Sequence, residues 1–136
     1  MKSDIHKAAG ILIQNRKLLV ERSKNKSFFI APGGSIEPGE TATQALVREL
    51  KEEFDIDAAE KDLEEFGTFY AEAAGQEHLR LRMDVFVVKT WQGEPTASSE
   101  VEEIAWITSA IPKNMKVGSI FGHKVVPLLK AQNLID

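Results

Sequence analysis

Cysteine is absent from the 136 residues, which excludes disulfides and thiolate metal sites and fits a reducing, cytoplasmic setting. No apolar run approaches the roughly 20 residues needed to span a bilayer, and no secretory leader is read at the start. There is no internal repeat and no low-complexity tract. There is also no basic block, and the net charge is −4. That balance argues against a duplex nucleic-acid partner. A free nucleotide or other small phosphate ester stays compatible, because a bound metal would offset the local negative charge. The length suits one domain spanning residues 1–136, and a hydrophobic content of 43% is enough for a real core.

Hydrophobic patterning places the elements. Ala8 to Ile13 is an apolar run suited to a buried strand, Gln14 to Arg16 a turn, and Lys17 to Arg22 a second strand, together a hairpin. Phe28 to Ala31 reads as a short strand ending at Pro32, and Gly33 to Gly39 as a loop. Leu63 to Ala71 and Leu79 to Lys89 read as two longer strands joined by AEAAGQEH. Gln92 to Ser99 is loop, Val101 to Ile107 a strand, and Val125 to Gln132 a closing helix. Strands outnumber helices and the order is mixed, which points to an α/β domain with a curved mixed sheet.

The densest information lies between Gly34 and Ile56. Pro38 and Gly39 break the chain, Thr41 and Gln44 form a capping-box pattern, and Ala42, Leu46, Leu50 and Phe54 share one helical arc. Glu53 falls inside that arc and Glu49 at its edge, and Glu52 lies within the same turn. A carboxylate on a buried stripe costs several kcal/mol unless it is paired or bound to a metal. Three acids crowded together make sense if a multivalent cation sits among them. Arg48, four residues before Glu52, is placed to pair with it.

This segment resembles the Nudix box. The family pattern falls on Gly34, Glu40, Arg48, Glu49, Leu50, Glu52, Glu53 and Ile56. One position departs, because the closing glycine is replaced by Asp55. That glycine ends the helix in a left-handed conformation, which Asp tolerates better than most residues. The flanking AGILIQNRKLLVERS, FFIAPGG and EEIAW are similar to the family's usual surroundings.

The resemblance implies an α/β/α sandwich and hydrolysis of a diphosphate linked to another moiety. It implies Mg²⁺ as cofactor, with Mn²⁺ as the alternative, held by Glu49, Glu52, Glu53 and the Gly33 carbonyl. Arg48 then orients a carboxylate of the cluster, and Glu40 ties the loop to the helix. Glu49 is the first choice for general base, with Glu100 second because ASSEVEEIAW resembles the segment that supplies an acid in some members. Arg22 and His123 stand where some members contact substrate, and Arg80 and Arg82 alternate onto one strand face within reach of a phosphate. Phe28, Phe29 and Tyr70 are read as core or as base-stacking aromatics. The expected partner is a small nucleotide or nucleoside diphosphate derivative, with no membrane and no set oligomeric state. Small size and the WQGEP loop favour a MutT-like nucleoside-triphosphate pyrophosphohydrolase, with damaged-nucleotide clearance as its role. The competing readings are an ADP-ribose or nucleotide-sugar pyrophosphatase, expected to carry longer N-terminal strands, and a non-catalytic nucleotide-sensing module. Specificity is expected in the loops Glu72 to His78 and Ile107 to Gly122.

Overall fold

Alternation along the central strands decides the architecture. The computed structural model describes residues 3–73 and 76–136, and side chains at 5–71 and 79–136. Strand β1 (Ser3–Ile11) turns Ala9 and Ile11 to one face and Ala8 to the other. Strand β3 (Lys17–Ser23) does the same with Leu18 and Val20 against Leu19. Both faces are buried, so these strands read as near-continuous apolar runs.

Two sheets result. One has the order β4 (Gly33–Ser35), β1, β6 (Gln76–Val88), β5 (Leu63–Ala73), with β1 and β6 parallel and the other pairs antiparallel. The other has the order β2 (Ile13–Gln14), β3, β7 (Val101–Ile107), all antiparallel. β2 and β3 join through Asn15 and Arg16, both at positive φ, as a tight hairpin turn with right-handed twist requires.

Helix α1 (Ala42–Phe54) covers one face with Ala45, Leu46, Leu50 and Phe54, packed on Leu12, Leu19, Phe86 and Val88. Its start is fixed by the reciprocal bonds between Thr41 and Gln44. Its end is fixed by Asp55 at φ 55° and ψ 40°, the left-handed conformation expected there. The other face is covered by the C-terminal helical run, where a π-type turn (Phe121–Val125) leads into α2 (Val126–Ala131). Pro127 has no N–H to give to the carbonyl four residues back, which accounts for a widened turn just before it. Among the described residues no helix is long and apolar enough to cross a membrane.

Four expectations are corrected. Phe28 to Ala31 forms no strand; Ile30 makes an isolated bridge to Glu21 and Phe29 one to Val117. Instead Gly33 to Ser35, expected as loop, pairs with β1 because Ala8 and Ala9 present free edge groups to it. The closing helical run begins at Ser119, so His123 lies inside it rather than before it. The AEAAGQEH connection is shorter than expected, because β5 and β6 extend into it; residues 74 and 75, and the side chains of Glu72 to His78, lie outside the described residues.

Candidate active site

The site forms where α1 crosses β4 and the end of β3. Gly33 has φ +137°, and a Cβ there would lie 2.0 Å from the Ala8 carbonyl oxygen, so β4 can sit on β1 only with glycine at this place. Its neighbour Gly34 faces α1. A Cβ on Gly34 would lie 2.7 Å from both Cδ and Oε1 of Glu49, so the bare backbone is what admits that carboxylate. The Gly33 N–H donates to Glu53 Oε1 at 3.1 Å. The two glycines therefore hold two of the helix carboxylates against β4.

Arg48 organises the outer side. Its Nε and Nη2 donate to the two oxygens of Glu40 at 2.8 and 3.0 Å, a bidentate pair. Its Nη1 donates to Glu49 Oε1 at 2.8 Å and its Nη2 to the Ser35 carbonyl at 3.1 Å. Glu52 is only 3.6 Å from Nη1 and is half exposed, so it is the looser partner. Glu40 also accepts the Glu37 N–H at 2.9 Å, fastening the loop to the helix. Hydrogen bonds from Arg48 and Glu37 hold the Glu40 carboxyl down to about 2.

The inner side lacks such compensation. Burial pushes the Glu49 carboxyl up; the Arg48 hydrogen bond and charge oppose this, and Glu52 and Glu37 add to it. Burial also raises Glu53; the Glu21 carboxyl beside it and the Gly33 N–H oppose this, and the charges of Glu49 and Glu52 add to it. Beside them stands Glu21 of β3, which the sequence reading did not single out. It is 0% exposed, and neither oxygen has a hydrogen-bond donor. Burial and the adjacent Glu53 and Glu49 carboxyls drive its pKa strongly upward, with Lys7 opposing. Only a proton shared with Glu53 or a bound cation would link these acids. The signal was present in the sequence: a charged residue follows a strand stretch buried on both faces.

The donor set suits a hard divalent cation, since carboxylate oxygens are crowded, partly dry and short of positive charge. Among the described residues no three acidic or histidine side chains are already drawn around one point in ligating geometry. Glu52 in particular is turned towards Arg48.

The other expected site residues lie further out. Glu100 is an exposed turn residue whose carbonyl accepts the Lys24 N–H, two residues after Ser98 donates to the Glu53 carbonyl. The 96–100 loop thus runs past the end of α1. Arg22 is bonded to Glu103 at 3.1 Å, the Lys26 carbonyl at 3.1 Å and Glu102 at 3.4 Å. Arg82 is 3.3 Å from Asp84, which also binds His6 at 2.6 Å and Thr68 at 3.0 Å. Burial alone would raise Asp84, but the hydrogen bonds from His6 and Thr68 and the nearby charges hold it below its usual value. Arg82 and Asp84 line a cavity of about 310 Å³ at the first turn of α1, with Thr41 and Thr43, and Glu49, Glu52 and Glu53 are not in that lining. The guanidinium of Arg80 stacks 4.5 Å from the Tyr70 ring centroid. His123 is exposed on the opposite helical layer. Phe29 is core, whereas Phe28 and Tyr70 are about two-fifths exposed.

The sequence profile of the NUDIX domain matches residues 4–120. The chain belongs to the Nudix family. It is 34% identical over 100 residues to an 8-oxo-dGTP diphosphatase of Proteus vulgaris, covering 70% of this chain and 85% of that one. It is 47% identical over 47 residues to an ADP-ribose pyrophosphatase of Methanocaldococcus jannaschii, covering 32% of this chain and 28% of that one. A MutT structure from work on Aliivibrio salmonicida and Vibrio cholerae superposes with a TM-score of 0.74 at 28% identity, covering 96% of this chain and 99% of that one. The protein is thus a Nudix hydrolase acting on phosphoanhydride bonds of nucleoside diphosphate derivatives. The family generally uses a divalent metal.

Proposed function

We propose that this Nudix hydrolase is a Mg²⁺-dependent nucleoside-triphosphate pyrophosphohydrolase of the MutT kind, releasing a nucleoside monophosphate and pyrophosphate. The observation that carries the reading is the placement of Glu49 and Glu53 against the paired glycines, partly desolvated and backed by Arg48. Glu49 and Glu53 would hold the metal, and Glu52, whose contact with Arg48 is long, would be a further carboxylate for it. The Gly33 carbonyl is the further oxygen at hand. When bound, a divalent cation would offset the charge of the polyphosphate and lower the pKa of an attacking water. Arg48 keeps Glu49 aimed, so Glu49 accepts the proton of the water, and the bidentate Arg48–Glu40 pair fixes the loop that carries the glycines. Likeness to an 8-oxo-dGTP diphosphatase over most of both chains supports the triphosphate subclass and a role with oxidised nucleotides. The ADP-ribose pyrophosphatase match covers about a third of each chain, and so it weighs less on substrate than the longer match does.

Purified protein assayed against nucleoside triphosphates (8-oxo-dGTP included), dinucleoside polyphosphates, ADP-ribose and nucleotide sugars, with and without Mg²⁺, tests this. Metal-dependent release of pyrophosphate, with triphosphates preferred at least tenfold in kcat/KM (about 1.4 kcal/mol of transition-state binding), is the expected result. Preference for ADP-ribose would overturn the subclass. Nucleotide binding without any turnover would make the domain a sensor.

A further inference from the structure

We propose that Glu21, thirteen residues before the Nudix box, supplies a further carboxylate ligand to the divalent-metal centre formed with Glu49 and Glu53. The proposal rests on the metal-dependent reading above and extends the site from the helix to the sheet. Three observations carry it. First, the strand fixes where Glu21 points. Its backbone exchanges hydrogen bonds with Ile30 at 2.9 and 2.7 Å and is in register with Ile104 of β7. Alternation from Leu19, which packs against α1, turns Glu21 to that same face. Second, the side chain is fully buried, and both oxygens lack a donor unless a proton is shared with Glu53. Strand packing alone gives no use for such a group; the neighbouring inward positions are filled by Leu12 and Leu19. A buried polar group without a partner is a net loss to the fold unless something else satisfies it. Third, its neighbours make the deficit worse. The carboxyls of Glu53 and Glu49 bear on it, Lys7 is the weaker opposing charge, and the Arg48 guanidinium is occupied by Glu40 and Glu49. A divalent cation accepts several such oxygens at once and answers all three acids together. Ligation by Glu21 would tie β3 to α1, so metal binding and the docking of helix on sheet become one event.

Mn²⁺ is the probe, titrated into the full chain with the free ion counted by electron paramagnetic resonance and the melting temperature followed in parallel. Glu21→Gln keeps the shape and removes the charge, Glu21→Asp keeps the charge and shortens the reach, and Glu53→Gln is the reference. Loss of about 10- to 100-fold in Mn²⁺ affinity in Glu21→Gln, the scale seen when a metal site loses a supporting group, together with a smaller Mn²⁺-induced rise in melting temperature, supports the proposal. Wild-type affinity in Glu21→Gln alongside weakened binding in Glu53→Gln overturns it and leaves the box site standing. Wild-type affinity in both variants overturns the metal reading itself. Should Glu21→Gln fail to fold, a wild-type crystal soaked in Mn²⁺ decides the matter. Anomalous density about 2.1 Å from a Glu21 oxygen supports ligation, and density at Glu49 and Glu53 but out of reach of Glu21 refutes it.

Discussion

The two adjacent glycines offer a test in which stability and catalysis separate. In Gly34→Ala the added Cβ meets Cδ and Oε1 of Glu49 at 2.7 Å and Oε2 at 3.0 Å, where ordinary contact begins at 3.4 Å. The carboxylate must therefore retreat by about 0.7 Å, which disturbs its 2.8 Å bond from Arg48. The obstacle is the far end of a flexible side chain, so the cost to folding is below about 1 kcal/mol, and it is offset by the reduced freedom of the unfolded chain. A reacting group misplaced by about 1 Å can lose about 10²-fold in rate, so kcat/KM is expected to fall by about 30- to 100-fold. In Gly33→Ala the obstacle is backbone, with the Ala8 oxygen at 2.0 Å and the Ala9 Cα at 2.9 Å, and φ of +137° is strained for alanine. Strain of about 1–3 kcal/mol plus the loss of β4–β1 pairing gives a total of about 3–5 kcal/mol, a drop of roughly 10 °C or more in melting temperature. Thermal melts of both variants, with Mg²⁺-dependent turnover of the preferred substrate, provide the assay. If Gly34→Ala retains kcat/KM within about threefold of wild type, or if the two variants melt alike, the claim that Gly34 exists to admit Glu49 is wrong.

Further outcomes follow from the charges. Glu21 and Glu53 have pKa values raised above the ordinary 4.5, so the folded state binds more protons than the unfolded one above that pH. Metal-free protein should therefore lose stability as pH rises from about 4.5 through neutrality, and Mg²⁺ should flatten that fall in melting temperature; a metal-free melting curve that rises over this range would contradict the buried-acid picture. The depressed Asp84 and Glu40 act oppositely, their contribution being lost only as pH drops below the usual carboxylate values. Replacing Arg48 with Lys keeps the charge but loses the fork shared by Glu40 and Glu49, so kcat should fall by about 10- to 100-fold, as steady-state kinetics will report. Asp55→Gly relieves a left-handed residue at φ 55° and should raise the melting temperature by a few degrees, for about 1 kcal/mol, with kcat unchanged in the same assay.

What the sequence made legible follows from how local each signal is. The capping box, the apolar arc and the helix-ending Asp55 act within α1 itself; the first and last appear as read, and the arc does so with Ala45 more deeply buried than Ala42. β7 matches its expected bounds because its burial pattern is set along one strand. β4 was missed because Pro-Gly-Gly reads as a turn, and only pairing with a strand some 25 residues earlier makes it otherwise. The closing helix starts early because tertiary packing of Ile120 and Phe121 into the core outweighs local propensity. Arg48 is expected to orient Glu52 or another carboxylate of the cluster; it bonds Glu49 and keeps Glu52 at 3.6 Å, while the loop also brings it Glu40, whose bidentate fork is stronger than a half-exposed i,i+4 pair.

Glu21 is the sharper case, because its meaning needs two segments at once. On β3 alone it is one acid in an apolar strand, and on α1 alone the crowded Glu49, Glu52 and Glu53 suggest a cation but give no sign of a ligand from the sheet. Only when β3 is packed under α1 does the number of carboxyls exceed the number of donors facing them. A motif read along the chain counts residues and cannot count that imbalance, and the imbalance is the physical reason a cation belongs there.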